Sequence, residues 1–162
     1  MMTRRLPLTA ILLGVAGLIP FIVCGIAALG ADETSAEKMM WALTAYGAVV
    51  LSFVGAVHWG FALAPDGGDQ SARVARGRLL FGIIPALVGW IALLVPLALP
   101  AWTGPGILIV GFLGAAMVES QAKQRGFVPS HYMLLRWGLT AVAVAMLITV
   151  MTLRILGQHI IF

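Results

Sequence analysis

The residues best equipped for chemistry are few. Glu119, Arg136, His58 and Tyr132 each lie in or beside a long apolar run. In hydrocarbon a carboxylate needs a cationic partner or a proton, a guanidinium can hold an anionic or acceptor group, and an imidazole exchanges a proton near neutral pH. Helical spacing places Glu119, Arg136 and His58 at one depth. From a helix start at Pro105, Glu119 lies about 21 Å along the axis, short of a hydrocarbon core of about 30 Å. Gly111, Ala115 and Glu119 recur every fourth residue, so the carboxylate shares the small-residue face that packs against other helices. From a start at Pro129 and Ser130, Arg136 lies about 9 Å into its span, with Tyr132 and Thr140 on the same face. His58, about 30 Å from Lys38, reaches a similar level, with Trp59 at interface depth.

Convergence of these groups would build either a structural polar cluster or a binding site for a lipophilic molecule, such as a quinone or a lipid head group, or for protons. Each group also has a plain structural explanation. Arg136 can snorkel to head groups, Glu119 can pair between helices, His58 can satisfy packing, and Tyr132 and Trp59 can sit as interface aromatics. Catalytic templates are absent: there is no Gly-x-Ser-x-Gly, His-Glu-x-x-His, Walker loop or dinucleotide fingerprint. The loop from Asp66 to Arg73 faintly echoes the phosphotransferase element Asp-Gly-x-x-Ala-Arg, but its spacing is wrong and the further aspartates do not follow. Only His58 lies at a depth useful for haem. The lone Cys24 excludes an internal disulfide and a multi-cysteine metal site. No catalytic residue or metal set is identified, and a cofactor is left open.

The elements that carry these groups must be membrane spans. Of 162 residues, 61% are hydrophobic and 10% charged, with mean hydropathy +1.04. A soluble domain has about 25% charged residues and needs a polar face on each helix. Charge-free runs extend from Leu6 to Ala31, Met39 to Pro65, Leu79 to Val118 and Trp137 to Leu153. The third, of roughly 40 residues, is long enough for two spans of about 20 and breaks at Pro100 to Pro105, around Trp102. An all-α integral membrane bundle of five transmembrane helices follows, in one domain over residues 1–162, with spans near 6–29, 39–63, 79–99, 105–125 and 130–156.

Arg4, Arg5, Arg73, Arg76, Arg78, Lys123, Arg125 and Arg136 fall to one side, and Lys38 and Arg154 to the other. The positive-inside rule then places the N-terminus in the cytoplasm and the C-terminus outside. The net charge of +4 is thus a topology signal rather than a nucleic-acid surface. Reading the first span as a cleaved signal ending near Gly30, or as a lipoprotein leader at Cys24, fits less well. Its apolar run exceeds a signal core, and Val23 stands where a small residue is required.

Small residues describe the packing. Ala48, Ser52, Ala56 and Gly60 form a four-step ridge on the second span, flanked by Gly47 and Gly55. Pro20 and Pro85 each remove an amide donor, releasing the carbonyls of Ala16 and Phe81 and kinking their helices. Five helices with unlike features do not divide into the related halves of many transporters. The expected partners are the lipid bilayer and, through the glycine faces, another membrane protein or a second copy; nucleic acid is not among them.

Four stretches together resemble domain-of-unknown-function family 3429. They hold Gly14, Gly17, Pro20 and Phe21; then Tyr46, Gly47, Ser52, Gly55, His58, Trp59 and Gly60; then Pro85 with Trp90; and finally Pro129 to Thr140, with His131, Tyr132, Arg136 and Trp137. The resemblance implies a small multi-pass protein of bacterial inner membranes, with mitochondrial counterparts in animals and no established activity. It also implies an acidic residue, usually Asp, where Glu119 stands. The Trp-dense motifs of the five-helix tryptophan-rich sensory proteins are absent. The leading expectation is a non-enzymatic accessory or assembly component of a membrane complex; the alternative is binding or conduction of a lipophilic ligand or protons at the polar cluster.

Overall fold

The computed structural model describes residues 8–30, 32–63, 72–124 and 130–156. It is all-helical over these residues. Helix α1 (Leu8–Ala16) and α2 (Ile19–Gly30) form the first crossing, followed by α3 (Glu33–Leu63) and α4 (Ala72–Leu94). A 3-10 turn (Val95–Leu97) leads to α5 (Thr103–Gln124), and α6 (Ser130–Ile155) completes the bundle. Five segments are long and apolar enough to cross a membrane: Leu8–Gly30, Glu33–Gly60, Ala75–Leu97, Thr103–Gln121 and Met133–Ile155. Their outer surfaces are as apolar as their interior. Leu13, Phe53, Val110 and Leu134 are each more than 70% exposed, which is tolerable only against lipid.

The helices outrun the charge-free windows. Helix α3 begins at Glu33 rather than near Met39, and α4 at Ala72 rather than near Leu79. Backbone hydrogen bonding does not stop where hydrocarbon does, so charged first turns extend the helices into the interface. Asp32 caps α3, accepting a hydrogen bond from the Ser35 amide at 3.2 Å. Hydrogen bonds from Ser35 hold its carboxyl below the usual carboxylate range. Of the basic residues that bear on orientation, Arg4, Arg5 and Arg125 lie outside the described residues, as do the side chains of Arg73 and Lys123.

The two prolines behave differently. At Pro20 the first crossing breaks outright between Ala16 and Ile19, where Leu18 N–H turns back to the Val15 carbonyl at 2.9 Å. The carbonyl met by a neighbour is that of Gly17, which accepts the Tyr46 hydroxyl at 2.8 Å. Pro85 leaves α4 continuous.

Helices α3 and α4 form the tightest pair, and the residues that permit it are seven apart rather than four. Gly89 lies against the Ala48 backbone, and Gly82 against the backbone of Gly55, in an antiparallel register. The Trp59 indole donates to the Leu79 carbonyl at 3.0 Å in the same register. Ala56 and Gly60, expected on the packing ridge with Ala48 and Ser52, face outward, and a side chain at Gly60 would meet nothing within 4 Å. The reason is rotational. Steps of four residues drift by about 40° on a helix of 3.6 residues per turn, carrying Gly60 about 120° from Ala48. Steps of seven drift only about 20° the other way and keep Gly55 on the seam.

The core runs through the centre of the bundle, from Leu43, Leu51, Leu108 and Leu147 to the ring of Phe21. Phe21 meets Tyr46 edge to face at 5.2 Å and Phe112 at 6.1 Å. Gly111 admits the Leu51 and Val88 side chains, and Ala115 is buried in the cluster. Helices α3 and α6 scarcely touch, while α2 and α5 bridge them. That gap positions the site.

Candidate functional site

Helices α3, α5 and α6 bring His58, Glu119 and Arg136 together. Arg136 Nε donates to Glu119 Oε2 at 2.9 Å, and His58 Nε2 stands 3.9 Å from Glu119 Oε1. The carboxylate is 3% exposed and the arginine 8%. Two helices thus meet in an ion pair inside the apolar bundle, where each charge compensates the other. The imidazole rests edge-on against Phe81 of α4, with ring centroids 5.2 Å apart. A second link runs parallel to the first: Trp137 Nε1 donates to the Ser120 hydroxyl at 3.0 Å. The Tyr132 side chain lies outside the described residues.

Arg136 looks two ways. One edge holds Glu119; the side chain also lines a cavity of about 530 Å³ between α1, α2, α3 and α6. The cavity wall is apolar, built from residues such as Leu18, Phe21, Val50 and Leu139, with Thr140 and Tyr46 as its hydroxyls. Its rim includes Leu13, Val49 and Phe53, each more than 60% exposed on the lipid-facing surface. Access is therefore sideways, from the bilayer. The break at Pro20 contributes, because Gly14 and Gly17 line the cavity where longer side chains would fill it.

Two residues that line this cavity, Arg136 and Thr140, also carry buried donor atoms without partners among the described residues. Thr44, Ser52, Ser120 and Thr149 each return their hydroxyl to the carbonyl four residues earlier, at 2.8 to 2.9 Å. Thr140, 2% exposed, departs from that pattern, and its Oγ1 has no hydrogen-bond partner among the described residues. Arg136 Nη2 is likewise unpaired among them, as are His58 Nε2 and Glu119 Oε1. All four belong to the same cluster, three of them to the His58, Glu119 and Arg136 group itself.

Of the residues foreseen, the structure joins His58, Glu119 and Arg136. Thr140 and Tyr46 are additions. The shared face of Arg136 and Thr140 was legible as a spacing of four; the partner of Tyr46 was not, and it is the Gly17 carbonyl, next to the Ala16 carbonyl that Pro20 would release. Among the described residues no three His, Cys, Asp or Glu side chains converge as metal ligands.

These features define a polytopic helical membrane protein with a buried interhelical ion pair beside a lipid-facing cavity. The chain belongs to the family described as protein of unknown function (DUF3429), whose pattern matches residues 6–152. It is 35% identical over 142 residues to transmembrane protein 69 of Xenopus tropicalis, a match covering 88% of this chain and 53% of the relative. The chain thus spans about half the length of that relative. No solved structure matches it.

Proposed function

We propose that this bundle binds a lipophilic molecule, which enters from the bilayer past Leu13, Val49 and Phe53 and directs its polar end toward Arg136 and Thr140. The observation that carries this reading is a largely apolar cavity of about 530 Å³ whose mouth faces lipid and whose inner wall includes Arg136 and Thr140. The volume falls in the range of small-molecule sites, about 300–1,000 Å³. An accessory or assembly role is the second reading: Gly47, Gly55, Gly82, Gly89 and Gly111 are used inside the bundle, whereas a side chain at Gly60, Gly114 or Gly138 would meet nothing within 4 Å, which leaves small-residue surface for a partner. A location in a bacterial inner membrane, with the polar cluster toward the cytoplasm, accords with the distribution of basic residues.

The reading is tested by filling the cavity. Wild-type protein purified in mild detergent is expected to retain a lipophilic molecule near stoichiometry, detected by native mass spectrometry. Val50→Phe, which puts a ring into the space, is expected to lose it while keeping its helicity and thermal midpoint. Equal retention by a folded Val50→Phe protein overturns the proposal.

A further inference from the structure

A second cavity lies at the other end of the bundle. About 30 Å of α3 separates Lys38 from His58, so this end is a full hydrocarbon thickness away from the ion pair. The cavity, of about 320 Å³, opens between the first turns of α3 and the segment joining α4 to α5. Its floor is sealed. Met40, Thr44 and Ala92 are buried, and Gly104 of α5 packs against Thr44, Ala92 and Pro96. Thr44 returns its hydroxyl to the Met40 carbonyl at 2.8 Å, so the floor requires no polar partner.

The rim is open and charged. Glu37, Lys38 and Trp41 line it and are exposed. Glu37, Trp41 and Thr44 follow one face of α3 at helical spacing, and Lys38 borders that face. Among the described residues neither the Glu37 nor the Lys38 side chain has a hydrogen bond or an ion pair. Depth accords with these residue types. Counted back from Gly60, the end of the Glu33–Gly60 span, about 20 residues cover the hydrocarbon and its boundary falls near Trp41. Glu37 and Lys38 therefore stand at head-group level, while Trp41, Leu93 and Leu97 border the acyl chains.

Opposite charges on one rim discriminate among lipids. An anionic head brings its phosphate to Lys38 but also meets the Glu37 carboxylate. A zwitterionic head satisfies both. One that ends in a primary ammonium also donates hydrogen bonds to Glu37, which a quaternary ammonium has no N–H to do.

We propose that this cavity binds a zwitterionic aminophospholipid, phosphatidylethanolamine, with its phosphate at Lys38, its ammonium at Glu37 and the start of its acyl chains along Trp41 and Leu97. The site is separate from the cavity beside Arg136 and does not depend on the reading given for it.

Competition among dioleoyl phosphatidylethanolamine, phosphatidylcholine and phosphatidylglycerol, supplied in equal amounts to the delipidated full chain in dodecyl maltoside, tests the assignment. Native mass spectrometry separates the three by mass. Phosphatidylethanolamine is expected to bind about fivefold more tightly than either competitor, the scale of one exposed ion pair. Glu37→Gln is expected to turn the preference toward phosphatidylglycerol, because Lys38 is then unopposed, and Lys38→Gln to weaken phosphatidylethanolamine about fivefold. Ala101→Phe, which puts a ring into the opening, is expected to lose the preference while keeping its helicity. Glu33→Gln, at an exposed carboxylate one turn before Glu37 and outside the cavity lining, is expected to change nothing, as is Val50→Phe in the other cavity.

Equal binding of phosphatidylglycerol or phosphatidylcholine by the wild-type chain overturns the assignment. A preference that survives both Glu37→Gln and Lys38→Gln also overturns it, as does one that Glu33→Gln weakens as much as Glu37→Gln, since interfacial charge and not the cavity would then be responsible. A preference lost only in Val50→Phe belongs to the cavity beside Arg136 and overturns this site while leaving that one standing.

Discussion

Glu119→Gln provides the sharpest test of the site's electrostatics. The substitution keeps size and shape but removes the charge that balances Arg136. In the structure the lost partner is 2.9 Å from the guanidinium, and the arginine is 8% exposed, so little water is available to take over. Coulomb attraction at that distance is roughly 6 kcal/mol at an effective dielectric of 20, partly offset by the cost of burying the pair. Breaking one side of a buried pair typically costs about 3–5 kcal/mol, and the value for Glu119→Gln is expected in that range.

Arg136→Gln should also be destabilising, because it leaves the buried Glu119 side chain without its partner. The double variant, two neutral amides, should recover most of the loss, leaving a coupling energy of about 3 kcal/mol in the double-mutant cycle. Equilibrium unfolding in mixed micelles, followed by far-ultraviolet circular dichroism, measures all four proteins. Additive single costs, or a Glu119→Gln penalty below about 1 kcal/mol, would mean the pair is solvated and screened like a surface ion pair. Burial would then add nothing to the strength of the pair.

Two further substitutions test the packing with the same assay. Tyr46→Phe removes the donor to the Gly17 carbonyl at the break in the first crossing, and should destabilise the protein by about 1–2 kcal/mol; no loss would mean that water or another group meets that carbonyl. Gly55→Ala would drive a methyl into the Gly82 carbonyl and should cost about 1–3 kcal/mol, whereas Gly60→Ala, with open space around it, should be neutral or stabilise by about 0.5–1 kcal/mol. Equal effects at the two glycines would contradict the seven-residue register of α3 on α4.

Membrane crossings can be read from the chain because they answer to a one-dimensional rule. A run of about 20 residues without charge either spans lipid or does not, and Pro100 to Pro105 divides the longest run wherever the helices end up sideways. Depth is equally linear, since rise per residue is constant. That is why Glu119, Arg136 and His58 could be placed at one level from their distances to Pro105, Pro129 and Lys38. Helix ends were less legible, as Glu33 and Ala72 show, because charge density marks the edge of hydrocarbon and not the end of backbone hydrogen bonding.

Angular and lateral relations obey no such rule. Whether Gly55 or Gly60 meets a neighbour depends on the crossing angle and supercoil of α3 on α4, a property of two surfaces fitted together and not of either strip of residues. Pro20 and Pro85 remove the same backbone donor, yet one breaks its helix and the other does not; the difference lies in what packs around each. The cavity is the extreme case. It exists because α3 and α6 are held apart by α2 and α5 and because the first crossing breaks at Gly17. The unpaired state of Thr140 reflects the same arrangement. Composition and spacing thus account for immersion in lipid, the number of crossings and the level of the polar groups. Neighbours, empty space and unmet donors arise from three-dimensional packing, since each is a relation between residues far apart in the chain.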